Sequence, residues 1–192
     1  MQNKRPRPGG RSERIRKAVA QAVLQLIRDH GIDFEIQEVS RLSGVGRATV
    51  FRRWPDRASL IGEALSEHVS GFSVTLKGEW PDDLLRMTRD FREFMRDPVE
   101  LAMNRALLLT NNNAFRDQMS DYWKPIIELF QKPLRDAIDR GEIDPGVDVE
   151  IVIVAISEVL VMESLFENFG EVDISERLVS QLVRGCPPAN RE

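Results

Sequence analysis

A single cysteine, Cys186, and two histidines, His30 and His68, are the only residues of those types in the 192-residue chain. A lone thiol cannot close an intramolecular disulfide, so nothing in the sequence calls for an oxidising compartment. The two histidines do not stand at a two-ligand spacing, and no glycine-rich loop suited to phosphate is present. Catalysis, a metal site and a bound cofactor are therefore not expected. No apolar run is long enough to span a bilayer, and the basic residues Lys4, Arg5, Arg7 and Arg11 are not followed by the apolar stretch of an export signal. These absences predict a cytoplasmic chain with no membrane partner. Repeats and low-complexity tracts are also missing.

What is present is a 42% hydrophobic content, enough to build a core without staples, and a lopsided charge. The net charge of −4 divides into +7 over residues 1–57 and −11 over residues 58–192. A basic head joined to an acidic remainder suits a phosphate-binding surface carried by a separate body.

The patterning is helical throughout. Ile15, Ala18, Val19, Ala22, Val23, Leu26 and Ile27 recur at helical spacing from about Arg11, and Gly31 ends that helix. Two short helical patterns follow between Ile36 and Arg53, interrupted at Ser43-Gly44-Val45. Trp54-Pro55 closes the second, and Asp56 caps a helix running toward Val69. Residues 70–78, with glycines and the alternating Phe72, Val74 and Leu76, make a connector. Further helices are expected over 81–97, over 98–110 with Leu101, Ala102, Leu108 and Leu109 as apolar positions, and over about 113–140. Pro125 and Pro133 should bend or break the last of these. Helices over 148–169 and 174–183 complete the pattern. The expected division is a loose basic arm (1–10), a head (11–70), a body (71–185) and a loose tail (186–192).

Two helices that meet at a steep angle need a small residue at the close approach and one tolerant of positive φ in the turn. Ser40 and Gly44 meet those needs, Val50 fixes the second helix, and Val39, Leu42 and Val45 form the wedge between them. The second helix then presents Arg47, Ala48, Thr49, Arg52 and Arg53 outward: small near its start and basic near its end.

The run from Val39 to Arg57, VSRLSGVGRATVFRRWPDR, resembles the TetR family of transcriptional regulators. The resemblance extends over about residues 11–62, and Gly141-Glu142-Ile143-Asp144-Pro145 with Val147-Asp148 is similar to a loop of that family's C-terminal domains. It implies an all-α fold, with an N-terminal three-helix helix-turn-helix domain followed by a C-terminal helical domain for dimerisation and effector binding. It also implies a repressor that binds a palindromic double-stranded DNA operator as a homodimer and is released by a small molecule; the alternatives are an activator or a DNA-binding regulator without an effector. Gln37, Arg47, Ala48, Thr49, Phe51, Arg52, Arg53, Arg57 and Arg11 are the DNA-facing residues on this reading. Phe51 stands where the family has a tyrosine, which removes a hydroxyl contact to phosphate. Arg57 replaces a frequent lysine and keeps the charge. The family's threonine at the start of the second helix is missing, with Asp33 as an alternative cap. The arm can serve equally as a solubilising tail or as a minor-groove arm.

In the body, the segment from Ile151 to Phe169 is apolar on nearly every side and must be covered all round. One face can meet a second subunit, with Val154, Glu158, Val161, Met162 and Leu165 as interface positions; the alternative is a central core helix. Glu158 and Glu163 break that pattern, and a buried carboxylate needs either a basic partner or a cationic ligand. Phe91, Met95, Met103, Phe115, Met119, Tyr122, Trp123 and Phe130 are large residues that belong either to the core or to an effector pocket.

Overall fold

Why the first helix sits where it does follows from its stripe. Val19, Ala22, Val23, Leu26 and Ile27 lie on one face of α1 (Arg11–His30) and are all buried, each large aliphatic side chain contributing roughly 1.5–3 kcal/mol on burial. The computed structural model, which describes residues 10–166 and 172–188, packs that face against Leu60, Ile61, Ala64 and Leu65 of α4 (Arg57–Val69). Gly31 ends α1 at φ 72°, its N–H donating to Ile27 O at 2.9 Å. Between them, α2 (Ile36–Ser43) and α3 (Arg47–Arg53) form the corner. The described residues contain nine helices and no strand. Residues Lys4, Arg5 and Arg7 of the arm, Phe169, and 189–192 of the tail lie outside them.

The body consists of α5 (Trp80–Met95), α6 (Pro98–Leu109), α7 (Asn113–Asp139), α8 (Val149–Leu165) and α9 (Ser175–Arg184). Pro81 and Pro98 open their helices, where the missing N–H costs nothing. Asp97, Asn112 and Asp148 cap α6, α7 and α8 by accepting backbone N–H bonds from Val99, Phe115 and Ile151. The connector 70–79 is irregular as expected, and its Phe72, Val74 and Leu76 pack on the body. Asp83 holds its end: the buried carboxylate accepts from Lys77 N at 2.9 Å and Gly78 N at 2.8 Å, and pairs with Arg86. Burial pushes this carboxyl's pKa up, but those donors outweigh it and hold the group below the usual carboxylate range.

Several expectations need correction. Pro125 and Pro133 do not break α7, which runs unbroken for 27 residues. Pro133 is itself buried beside Leu134, so packing compensates for the missing backbone bond. In α6 the buried face is Val99, Glu100, Met103 and Asn104, while Leu108 and Leu109 are exposed, the latter by 85%. The helix is turned about its axis relative to the apolar positions read from sequence. Asp33 does not cap α2; Glu35 stands at the N-cap, and Glu38 reaches back to accept its N–H at 2.9 Å. Cys186 is buried, and Pro187 O accepts a bond from Asp144 N at 2.9 Å, so the chain is packed past the point where the tail was expected to begin.

Two apolar clusters divide the interior, and the first of them crosses the chain division at residue 70. One joins α1 and α4 to Val99, Met103, Phe115, Met119 and Tyr122 of the body; the other lies among α5, the second half of α7, α8 and α9.

Candidate nucleic-acid interface

The corner between α2 and α3 is locked by short-range chemistry. Gly44 takes the left-handed conformation at φ 66°, which a side chain would strain. Ser40 Oγ donates to Val45 O at 2.6 Å, and Ser43 Oγ accepts from Val45 N at 3.2 Å. Val39 and Val50 are fully buried beneath the corner. Trp54, buried at the end of α3, donates its ring N–H to Glu63 of α4 at 3.3 Å. These contacts fix the outward face of α3 relative to the rest of the head.

On that face Arg47, Ala48, Phe51, Arg52 and Arg53 are exposed and Thr49 is half-buried; Gln37 on α2 and Arg11 at the start of α1 are exposed as well. Three of the arginines on this surface are already held. Arg47 lies over the Phe51 ring, 5.2 Å from its centroid. Arg53 donates to Ser12 of α1 and covers the Trp54 ring. Arg57, the first residue of α4, donates to Asp33 Oδ1 at 2.7 Å and lies over Phe34. Asp56 caps α4 by accepting Ser59 N at 2.8 Å, the bond that lowers its pKa most. The first-turn N–H groups that Asp56 does not take are open to an anion, which Arg57 would meet only by leaving Asp33.

In the body, α8 presents Ile151, Val154, Glu158, Val159 and Met162 to solvent, with Met162 46% exposed. Val161 and Leu165 are half-buried, Val161 against the second cluster. Of the two carboxylates expected to need partners, Glu158 is exposed and needs none. Glu163 is buried and accepts a fork from Arg92, 3.0 Å from Nε and 2.7 Å from the terminal nitrogen. Of the residues read as pocket-lining, Phe91, Met95 and Phe130 belong to the second cluster and Met103, Phe115, Met119 and Tyr122 to the first. Trp123 alone among them also lines an open groove along α7. Sequence reasoning missed Glu100 and His68, which meet Tyr122 inside the body. The available signal was a carboxylate one helical turn before Met103 and Asn104, the three together making one buried face.

A helix-turn-helix with a basic, exposed second helix, seated on a body that is helical among the described residues, is the architecture of the helix-turn-helix regulators. Residues 75–184 match the family model described as the tetracyclin repressor-like, C-terminal domain. The DNA-binding transcriptional repressor TetR of Mycobacteroides abscessus is 32% identical over 139 residues, covering 69% of this chain and 70% of that protein. An uncharacterized HTH-type transcriptional regulator of Mycobacterium tuberculosis is 33% identical over 130 residues, 62% of this chain; the match spans 61% of the relative's length. Among solved structures, a TetR transcriptional regulator from Agrobacterium tumefaciens superposes with a TM-score of 0.73 at 14% identity, over 90% of this chain and 95% of that one. The regulator FadR of Bacillus subtilis, in complex with stearoyl-CoA, gives 0.64 at 16% identity over 88% and 98%. These two establish likeness of fold. The chain belongs to the TetR family of transcriptional regulators.

Proposed function

We propose that the protein is a cytoplasmic, homodimeric repressor that binds an inverted-repeat operator through α3 and is released by a small effector held in the body. The observation that carries the reading is the exposed Arg47–Arg53 face on a corner fixed by Ser40 and Gly44. Arg47, at the start of α3, is suited to reading guanine in the major groove, while Arg57 and the first turn of α4 hold the phosphate backbone. The exposed apolar positions of α8 supply a two-fold contact that would set two recognition helices about one helical turn of DNA apart. Repression is favoured by the named activity of the 32% identical relative. An effector is favoured by the aromatic and methionine content of the body and by the stearoyl-CoA bound to the structurally similar FadR.

Selection of bound DNA from a random library tests the whole. Sites with a dyad and half-sites about 34–36 Å apart are expected, from a particle of twice the 22.0 kDa chain mass in sedimentation. Selected sites without any dyad, or a monomer at micromolar concentration, would overturn the reading.

A further inference from the structure

The body buries three carboxylates, and two of them have an arginine: Asp83 has Arg86 and Glu163 has Arg92. Glu100 of α6 is fully buried, and among the described residues no lysine or arginine reaches it. Its Oε1 accepts the hydroxyl of Tyr122, and His68 Nε2 lies 3.2 Å from the same oxygen, off the direction that a ring N–H bond requires. Burial and the adjacent carboxylate push the Tyr122 hydroxyl far above its ordinary range, so it remains a neutral donor. Glu100 Oε2 has no partner. A buried carboxyl oxygen left without a partner is costly unless something fills its place.

The surroundings say what could. Phe94 stacks on His68 with ring centroids 5.1 Å apart, and Phe72 lies 5.1 Å from Phe94. Both phenylalanine rings line an open crevice of about 540 Å³, whose wall also carries Asp90, Glu93 and Asp97 against Arg96. Glu100, His68 and Tyr122 do not line this crevice; the stacked pair Phe94–His68 connects it to Glu100, and a ligand reaches Oε2 only if those rings part. The excess of carboxylates draws cations toward the mouth. Aromatic faces beside a carboxylate are the chemistry that recognises organic cations.

We propose that the Glu100 cluster, entered past Phe72 and Phe94, binds a small organic cation with an apolar body, an ammonium or amidinium whose charge is taken by Glu100 Oε2. This deepens the effector reading given above and rests on it for the consequence at DNA. His68 lies in the last turn of α4, the helix that begins at Arg57, so a ligand that parts His68 from Glu100 acts directly on the head.

The test uses the full chain and matched probes: phenyltrimethylammonium, benzamidine and octylamine; their uncharged counterparts tert-butylbenzene, benzamide and octanol; and the anions benzoate and octanoate. Thermal shift and operator binding are read together. At least one cation is expected to raise the melting temperature saturably where its neutral counterpart does not, and to weaken operator binding. Glu100→Gln should weaken that cation's binding at least tenfold, while Tyr122→Phe, which keeps the charge, should weaken it much less. Cation binding that Glu100→Gln leaves unchanged overturns the proposal, as does stabilisation by no cation. If neutral or anionic probes alone stabilise the protein, the charge assignment falls and the effector reading stands. If a cation binds through Glu100 and operator affinity does not move, the site stands and the effector reading falls. The neutral-against-charged comparison on the unaltered protein decides the charge even if Glu100→Gln fails to fold.

Discussion

Head and body handle charge in opposite ways. The head keeps its arginines at the surface, and three of them rest on an aromatic ring or a nearby acceptor that a phosphate or base can replace: Arg47 on Phe51, Arg53 on Ser12 and Trp54, Arg57 on Asp33. The body also carries charge at its surface, but it hides three carboxylates, Asp83, Glu100 and Glu163. An exposed cation is cheap to hold and easy to redirect, which suits exchange between solvent and DNA. A buried charge must be matched, so each such site commits the fold to one arrangement or waits for a ligand.

The largest effect should come from breaking a buried match. Arg92→Ala leaves the Glu163 carboxylate stranded and is expected to cost about 3–5 kcal/mol in denaturant unfolding. A loss under about 1 kcal/mol would mean that water reaches Glu163 and that the body is less closed than its burial implies. Next comes the proposed contact between subunits. The double change Val154→Glu and Met162→Glu places new charges at the centre of the two-fold face, and the dimer dissociation constant should rise at least a hundredfold, roughly 2.7 kcal/mol. Sedimentation reads this directly, and an unchanged dimer would move the interface off this face of α8.

Within the head, the same residue type is assigned two tasks. Arg47→Ala should cost roughly 1–3 kcal/mol on operator and relax preference at one base pair per half-site, with little change on scrambled DNA. Arg57→Ala should weaken binding to both DNAs alike and flatten the salt dependence by about one unit of slope for each phosphate no longer neutralised. If Arg47→Ala weakens both DNAs equally, α3 is misplaced in the groove. The smallest effect is expected of Asp33→Asn, which frees Arg57 from an ion pair that is largely in solvent. Operator affinity should rise by less than about fivefold; a fall would show that Asp33 orients Arg57 instead of competing with DNA for it.

The head is more legible in the sequence than the body because its determinants are local. Gly44, Ser40 and the Trp54-Pro55-Asp56 stop lie within a few residues of what they control. The end of α1 at Gly31 is equally plain. The inner face of α6 is not, because apolar residues stand on both of its sides and only its packing against α1, α5, α7 and α8 chooses between them. Likewise α8 has almost no apolar asymmetry, so its pattern does not say that Glu163 turns inward and Glu158 outward. The meeting of His68, Glu100 and Tyr122 joins three helices far apart in the chain, and no spacing rule reaches that distance. Local rules make Pro125 and Pro133 helix breakers, yet α7 continues through both, Pro133 within the packed interior and Pro125 at the surface.

The first apolar cluster has a practical bearing on how such regulators can be recombined. Because Val99, Met103, Phe115, Met119 and Tyr122 complete the packing of α1 and α4, the recognition unit is not a detachable cassette. A chimera joined at residue 70 would graft the head onto foreign side chains at those five positions and should melt early or aggregate. One that carries its own α6 and the first half of α7 along with residues 10–69 should keep both its fold and its operator preference.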